Sequence, residues 1–555
     1  MNLTKNTFHL LQAHFLGQSP VWYKITIISF LILNPVLYCF NPFVAGWAVL
    51  VQFIFTLACA LKCYPLQPGG LIAIEALLIG LASPKTVYNE VLANIPTVLL
   101  LIFMVSAIFF IKDILFIAMT KLFLSIRKKV TLSLVFCLIC ASLSAFLDAL
   151  TLVAIAIAVC FNFYAIYHRV EGNRGNEKEM EEFRGCLRNF IIHGTVGTII
   201  GGTMTIVGEP NNMMIGTKMG WHFIEFITHC AVISVPAALA GFAVCFSLEF
   251  FKCPGFRYQM PERARELILK DYNKKIREMT AHNFYVYVVQ IIVFFLLVLA
   301  LAFHVAEVGL IGIGLIVIVT ALTGQTKEHD LGVAFTNAMP FAALIVVFFS
   351  ILGVVHEQHL VSPLAQWVFD NFTGKAQHMA LYFMNGTLSF TSDNVFVATV
   401  FITEVENTYV CGIITQMIGE IETAFADGTL MQCFAAIHES QSAYNSEVIT
   451  QFIHRMDAAF ADGTLNQEFI ETMKAGYADK MVMSREDYEK LAVVVNMGTN
   501  IPAMATPNGH AALLFLLTSS LAPVLDLSYY RMFILALPYT IAMTLTGALA
   551  IYFFL

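Results

Sequence analysis

Apolar runs near 20 residues recur along the whole of this 555-residue chain. Each is long enough to cross a hydrocarbon core roughly 30 Å thick. Lipid offers no water to unpaired amides, so such runs fold as helices that satisfy their own backbone. Composition agrees, with 58% hydrophobic and only 12% charged residues, where a soluble chain carries about 25% charge. The mean hydropathy of +0.75 and 48 Phe against four Trp fit lipid-facing surfaces. The chain therefore reads as an all-α polytopic membrane protein, without a soluble domain of ordinary size. Its partner is the bilayer. A net charge of −7 offers nothing to nucleic acid. The 12 Cys are scattered, many inside apolar runs such as "VFCLICAS", and read as small packing residues. No cofactor is expected. The first residues, "MNLTKNTFHLLQAHFLGQSPVWYK", do not read as a cleavable signal, because the apolar run begins only after Lys24.

Apolar segments lie at about 25–45, 46–62, 69–84, 94–120, 130–168, 189–220, 223–250, 283–304, 306–325, 335–357, 377–403, 491–523 and 529–555. The basic loop with Lys121, Arg127, Lys128 and Lys129, and the 251–278 stretch with eight Lys or Arg, are placed in the cytoplasm by the positive-inside rule. Counting spans puts the N-terminus in the cytoplasm and the C-terminus outside. It also puts 404–490, with 15 acids against five bases, outside the membrane. That stretch carries "AFADGTL" twice, at 424–430 and 459–465, and reads as an inserted, amphipathic helical excursion.

Between Lys375 and Glu404, Asp393 is the one charged residue. It has a partner. "LSAFLDALTLVAIAIAV" begins at Leu143 and "LSFTSDNVFVATVFI" at Leu388, which matches Ser144 with Ser389 and Asp148 with Asp393. A second pair follows in the same order. "GGTMTIVGEPNNMMIG" begins at Gly201 and "GTNIPAMATPNGHAAL" at Gly498. This matches Gly201 with Gly498, Pro210 with Pro507 and Asn211 with Asn508. The segment holding Asp148 starts and ends at the cytoplasm, and the one holding Asp393 outside. Two inverted repeats are expected, each with a re-entrant helical hairpin and a broken transmembrane helix.

The chemistry follows from the residue types. Pro and Gly interrupt a helix, and irregular backbone at membrane depth survives only where protein or water covers it. Freed carbonyls, Ser and Thr hydroxyls and Asn amides are neutral oxygen donors, which small hard cations prefer. The Asp adds the charge that offsets dehydration. The expected ion site is built from Asp148, Asp393, Ser144, Ser389, Ser392, Asn394, Asn211, Asn508, Thr203 and Asn500, with Na+ at Asp148 and Asp393. Glu209 and Glu75 are candidate proton carriers. A plainer reading competes, since Ser and Asp are also good helix N-caps.

At these residues the chain resembles the NhaB family of bacterial Na+/H+ antiporters. The resemblance is carried by "FLDALTLVAIAIAV", "GEPNNMMIG", "SDNVFVATV", "GTNIPAMATPNGHAALLFLLTSSLAP" and "LALPYT". The family belongs to a superfamily that includes divalent-anion/Na+ symporters and arsenite transporters. It implies a scaffold plus a transport domain, homodimers, an elevator-like movement and a place in the bacterial inner membrane. Symporters of the superfamily carry Ser-Asn-Thr at the hairpin tips. Here the tips read Leu147-Asp148-Ala149 and Ser392-Asp393-Asn394, so titratable groups replace neutral ones. Against the family pattern, 404–490 reads as longer than the usual loop.

The expected layout is N-terminal and scaffold helices over 1–120 and a first repeat core over 121–250, with its hairpin at 130–168 and broken helix at 189–220. A cytoplasmic basic loop follows over 251–282, then second scaffold helices over 283–376. The second repeat core covers 377–555, with hairpin 377–403, insertion 404–490, broken helix 491–523 and final helix 529–555. The expected function is efflux of Na+, with Li+ as a second candidate ion, in exchange for external protons. One carboxylate shared by Na+ and H+ suffices for exchange. The alternative is a Na+-coupled symporter of a carboxylate or oxyanion, but apart from Lys218 the motif regions offer it no Lys or Arg. No nucleophile or ligand constellation points to an enzyme.

Overall fold

The computed structural model describes residues 14–60, 62–171, 177–441, 447–477 and 483–555. Over these residues every regular element is helical. The expectation about the N-terminal segment falls partly on residues 1–13, outside the described residues. Among the described residues seven helices are long and apolar enough to cross a membrane. Their outer faces carry large apolar side chains such as Ile32, Leu239, Phe295 and Leu545, each more than half exposed. Water would penalise such faces, whereas lipid does not. The chain is a multi-pass membrane protein.

Ten helices build the core. They are α1 (Lys129–Ser144), α2 (Ala149–Glu171), α3 (Glu177–Gly202), α4 (Pro210–Met219), α5 (Phe223–Phe250), α6 (Gly374–Thr391), α7 (Asn394–Asp427), α8 (Arg485–Asn500), α9 (Ala511–Thr518) and α10 (Tyr529–Phe554). Outside them, Val21–Phe40, Pro42–Ala58 and Leu66–Leu78 pack together and against Glu328–Glu357. The run at 94–120 is not one span. It divides into Ile95–Leu99, a π-helical turn Leu100–Met104, Val105–Phe109 and Lys112–Ser125. The turn lies against Gly309 and Gly312, where an added Cβ would stand 2.5 Å from Leu99 Cβ and 2.8 Å from Met104 N. Such π-turns break helix regularity where a neighbour comes close.

The hairpins fold where the Ser and Asp residues were read, but other limits differ. α3 and α8 begin at Glu177 and Arg485, earlier than the expected 189 and 491. Their charged first turns stay helical in water, where hydropathy has already ended. The second hairpin does not stop at 403, because α7 continues to Asp427. At 1.5 Å per residue its 34 residues span about 50 Å, beyond any hydrocarbon core. The far half of α7 joins Leu430–Gln441, Glu447–Ala461 and Gln467–Tyr477 around a second apolar core of Ile414, Ile418, Phe452, Ile453 and Ile470. The duplicated "AFADGTL" is a helix stop. Gly428 and Gly463 adopt φ of 71° and 68°, and the Thr429 and Thr464 amides donate back to the Ala424 and Ala459 carbonyls. Only Gly takes that left-handed position without strain.

Contacts at the two ends of the core fix how its parts run. At one end Lys129 Nζ donates to the Phe256 carbonyl at 2.7 Å and Arg188 to the Leu525 carbonyl at 2.8 Å. The first joins the start of α1 to the segment after α5, and the second joins α3 to the segment before α10. At the other end Lys375 Nζ donates to the Tyr552 carbonyl at 2.6 Å, Arg485 to the Met219 carbonyl at 2.8 Å, and Lys218 pairs with Glu406. This gathers the base of the α6–α7 hairpin with the start of α8 and the ends of α4 and α10.

Within the core, α3 lies on α1 with almost no gap. A Cβ on Gly197 would stand 2.4 Å from the Cys137 carbonyl oxygen, and one on Gly201 1.9 Å from that of Ala141. Small residues four apart allow such approach in membranes. Gly201→Ala should therefore cost about 3 kcal/mol through forced separation of the two helices. Gly314→Ala, with nothing within 4 Å of its added Cβ, is the control. Melting temperatures of the purified variants check this, and an unchanged Gly201→Ala protein would contradict the packing.

Candidate ion-binding site

Each hairpin tip places its Asp as the cap of the outgoing helix. Asp148 Oδ2 accepts the Thr151 amide at 3.2 Å, and Asp393 Oδ1 accepts the Val395 amide at 2.9 Å. The N-cap reading is therefore correct as far as it goes, but capping uses only part of each carboxylate. Asp148 is 1% exposed, and its Oδ1 has no hydrogen-bond partner among the described residues. Asp393 is half-buried. Four more buried oxygens nearby in the fold also lack hydrogen-bond partners among the described residues: Ser144 Oγ, Ser389 Oγ, Glu209 Oε1 and Asn394 Oδ1. Buried polar atoms are normally paired, so five orphan oxygens on tips and breaks mark a place built for something else.

Each tip meets one break through the same three hydrogen bonds. In the first, Thr205 Oγ1 donates to the Ala145 carbonyl at 2.7 Å and accepts the Gly208 amide at 3.2 Å. The Ala149 amide donates to the Gly208 carbonyl at 3.4 Å. In the second, Thr506 Oγ1 donates to the Phe390 carbonyl at 2.7 Å and accepts the Gly509 amide at 3.0 Å. The Asn394 amide donates to the Gly509 carbonyl at 3.2 Å. This register corrects the matching of the second motif. Gly498 corresponds to Gly197, whose helix contact it shares, and not to Gly201. Pro210 opens α4, whereas Pro507 lies inside the irregular 501–510 segment and α9 begins at Ala511. The Pro-Asn matching was one helical turn out of step.

The new register pairs Glu209 with His510. These two buried side chains face each other, with Glu209 Oε1 3.3 Å from His510 Nε2. His510 Nδ1 accepts the Ala512 amide at 3.4 Å, which puts the ring proton on Nε2, and that nitrogen forms no hydrogen bond with any described residue. Glu209 lies close enough to Asp148 and Asp393 to feel both their charges.

Five asparagines join the two breaks. Asn211 Nδ2 donates to Asn500 Oδ1 at 3.0 Å, and Asn394 Nδ2 reaches Asn500 Oδ1 at 3.2 Å and Asn211 Oδ1 at 3.5 Å. Asn500 Nδ2 donates to Asn212 Oδ1 at 2.9 Å and to Asn496 Oδ1 at 3.1 Å. Asn212 closes the first break by donating to the Gly202 and Thr205 carbonyls. Sequence reasoning missed Asn212 and Asn496, although Asn496 stands one turn before Asn500. His510 was also missed. Of the expected residues, Asn508 takes no part in this cluster and is half-buried in the break. Thr203 Oγ1 donates to the Ile200 carbonyl of its own helix. Ser392 is buried beside Asp393. Glu75 lies elsewhere, on Leu66–Leu78, where it accepts from Asn34 at 2.7 Å while Asn34 pairs with Gln52. The structure does not bring Glu75 to the other site residues. Beside the first break, a cavity of ≈160 Å³ opens among Ile206, Met213, His222, His304 and Glu307.

A family described as bacterial Na+/H+ antiporter B (NhaB) matches this sequence over residues 1–456 and 455–555. The chain belongs to the NhaB family. A protein of Teredinibacter turnerae named Na(+)/H(+) antiporter NhaB is 41% identical over 556 residues, 97% of each chain. Proteins of the same name from Salmonella paratyphi B and Salmonella newport are each 43% identical over 554 residues, covering 97% of this chain and 94% of theirs.

Proposed function

We infer that this NhaB-family chain is a secondary transporter, not an enzyme, that exchanges Na+ for protons at one shared site. The ion sits between the two hairpin tips and the two breaks. The observation that carries this reading is the set of buried oxygens without partners at Asp148, Ser144, Glu209, Ser389 and Asn394. An unpaired intramembrane carboxylate is costly, and either a proton or a Na+ ion relieves the cost. The two therefore compete, and alternating access carries whichever is bound. Asn211, Asn394 and Asn500 supply neutral oxygen and hold the breaks in register. Glu209, with His510, is the candidate proton carrier beside the shared carboxylates.

The opposite ends at which the hairpins enter the core support two inverted repeats. With the basic loops in the cytoplasm, the C-terminus of α10 and the helices after α7 lie outside the bacterial inner membrane. The division into scaffold helices and a ten-helix core supports an elevator-like movement of one against the other, and homodimers and Li+ as a second ion belong to the same proposal. The symport alternative loses its one nearby cation, because Lys218 is paired with Glu406.

Two experiments test this reading. In vesicles holding a pH gradient, Na+ added alone should dissipate the gradient, and a requirement for an added organic or oxyanion substrate would contradict it. Asn211→Ala removes one neutral oxygen and the hydrogen bonds to Asn500 and Asn394, worth about 1 kcal/mol each, and should raise the Na+ concentration for half-maximal exchange several-fold. Asn508→Ala should leave that concentration nearly unchanged. Equal effects of the two substitutions would place the site differently.

A further inference from the structure

Away from the ion site the core buries a second polar cluster. His193, on α3, sets Nε2 2.9 Å from Glu249 Oε1 on α5 and Nδ1 2.5 Å from the Tyr539 hydroxyl on α10. Glu249 Oε2 pairs with Lys129 Nζ, at the start of α1, at 2.8 Å, and Ser133 Oγ donates to Oε1 at 3.2 Å. The Phe256 ring stacks on the imidazole at 5.1 Å. His193, Glu249 and Tyr539 are 0%, 3% and 0% exposed, while the Lys129 side chain is 20% exposed at the basic-loop end of the core. The other titratable groups facing this space are Cys137 on α1 and Cys245 on α5, with Cys186 on α3 and Arg265 lying toward Lys129.

The fold does not require this cluster. α8 is the counterpart of α3, with Gly498 in the place of Gly197, and the same register sets buried Val494 in the place of His193. An apolar side chain therefore satisfies the packing. Buried ion pairs are weak contributors to stability, because desolvation opposes their attraction. The geometry instead suits a group that gains and loses a proton. With a neutral imidazole, Nε2–H donates to Glu249 and the Tyr539 hydroxyl donates to Nδ1. With an imidazolium, both N–H groups donate and the hydroxyl accepts. No hydrogen bond is lost in either state. Only the charge of the Lys129, Glu249 and His193 group changes, from zero to plus one.

We propose that His193 is a proton-binding site separate from the ion site, open to water at the Lys129 end, and that its protonation slows the movement of the core. The proposal rests on the exchange and moving-core reading above. A core that travels into the bilayer carries this cluster with it, and a cluster of net charge plus one crosses hydrocarbon at greater cost than a neutral one. Acid on the basic-loop side therefore lowers the maximal rate. The site lies about 13 Å along α3 from Gly202 at the first break, so it need not change Na+ binding.

The test is maximal exchange rate at saturating Na+ in proteoliposomes, with pH varied on the basic-loop side. The full-length protein should lose rate by up to about tenfold per pH unit below the midpoint of a single titrating group. His193→Gln keeps a donor for Glu249 and an acceptor for Tyr539 but cannot titrate. It should flatten that profile while apparent Na+ affinity keeps its pH dependence. An unchanged profile in His193→Gln would overturn the proposal, as would a variant in which Na+ affinity loses its pH dependence together with the rate. If His193→Gln yields no transport at any pH, Tyr539→Phe decides. Without the hydroxyl the imidazolium lacks an acceptor, and the rate midpoint should move to lower pH. A midpoint equal to that of the unmodified protein would overturn the proposal. Failure of the exchange reading itself is distinct, since the unmodified protein would then release no protons on Na+ addition.

Discussion

Asp148→Asn and Asp393→Asn should each abolish Na+-dependent proton release while leaving the protein folded in the membrane. Asparagine is as good an N-cap as aspartate, so the bonds from the Thr151 and Val395 amides survive the change. What is lost is the charge that offsets Na+ dehydration. Breaking a buried ion pair from one side costs about 3–5 kcal/mol, which corresponds to at least a hundredfold loss of exchange. Of the two, Asp148 should be the more sensitive, because it is the more deeply buried and its Oδ1 has no other partner. Exchange near the unmodified level in either variant, at equal amounts of protein in the membrane, would remove that residue from the site.

The charge pair was legible in the sequence because the two hairpins share one register from Ser144 to Asp148 and from Ser389 to Asp393, with no gap between. The breaks were legible as breaks but not in register. Pro-Asn dipeptides say where backbone is irregular. They do not say which carbonyl meets which amide. That information lies in Thr205 and Gly208, which share their spacing with Thr506 and Gly509, because a hydroxyl that bridges a tip carbonyl and a break amide demands a fixed separation. The Glu209–His510 pair was hidden for a different reason. Its two members occupy equivalent positions but differ in residue type, so no identity marks them.

Helix limits failed where charge begins. α3, α7 and α8 all extend past their apolar runs, since a helix needs only its own i to i−4 bonds and a solvent-facing turn tolerates Glu or Lys. Glu75 was drawn toward the site by being an acid in an apolar run, and Asn34 and Gln52 on neighbouring helices account for it locally. Only the tertiary structure could separate a carboxylate hydrogen-bonded by an amide from one left with a bare oxygen.

The central claim is that Na+ and protons compete for one set of carboxylates. The most direct measurement is a series of Na+ titrations of exchange at pH values from about 6 to 9. Protonation occupies the site that Na+ needs, so lowering the pH should raise the Na+ requirement, and raising it should not. On the acid side each pH unit should raise the half-saturating Na+ concentration about tenfold for one shared site, and more steeply for two coupled ones. Apparent Na+ affinity that stays flat across this range, with only the maximal rate changing, would contradict a shared site and assign the proton to a separate carrier.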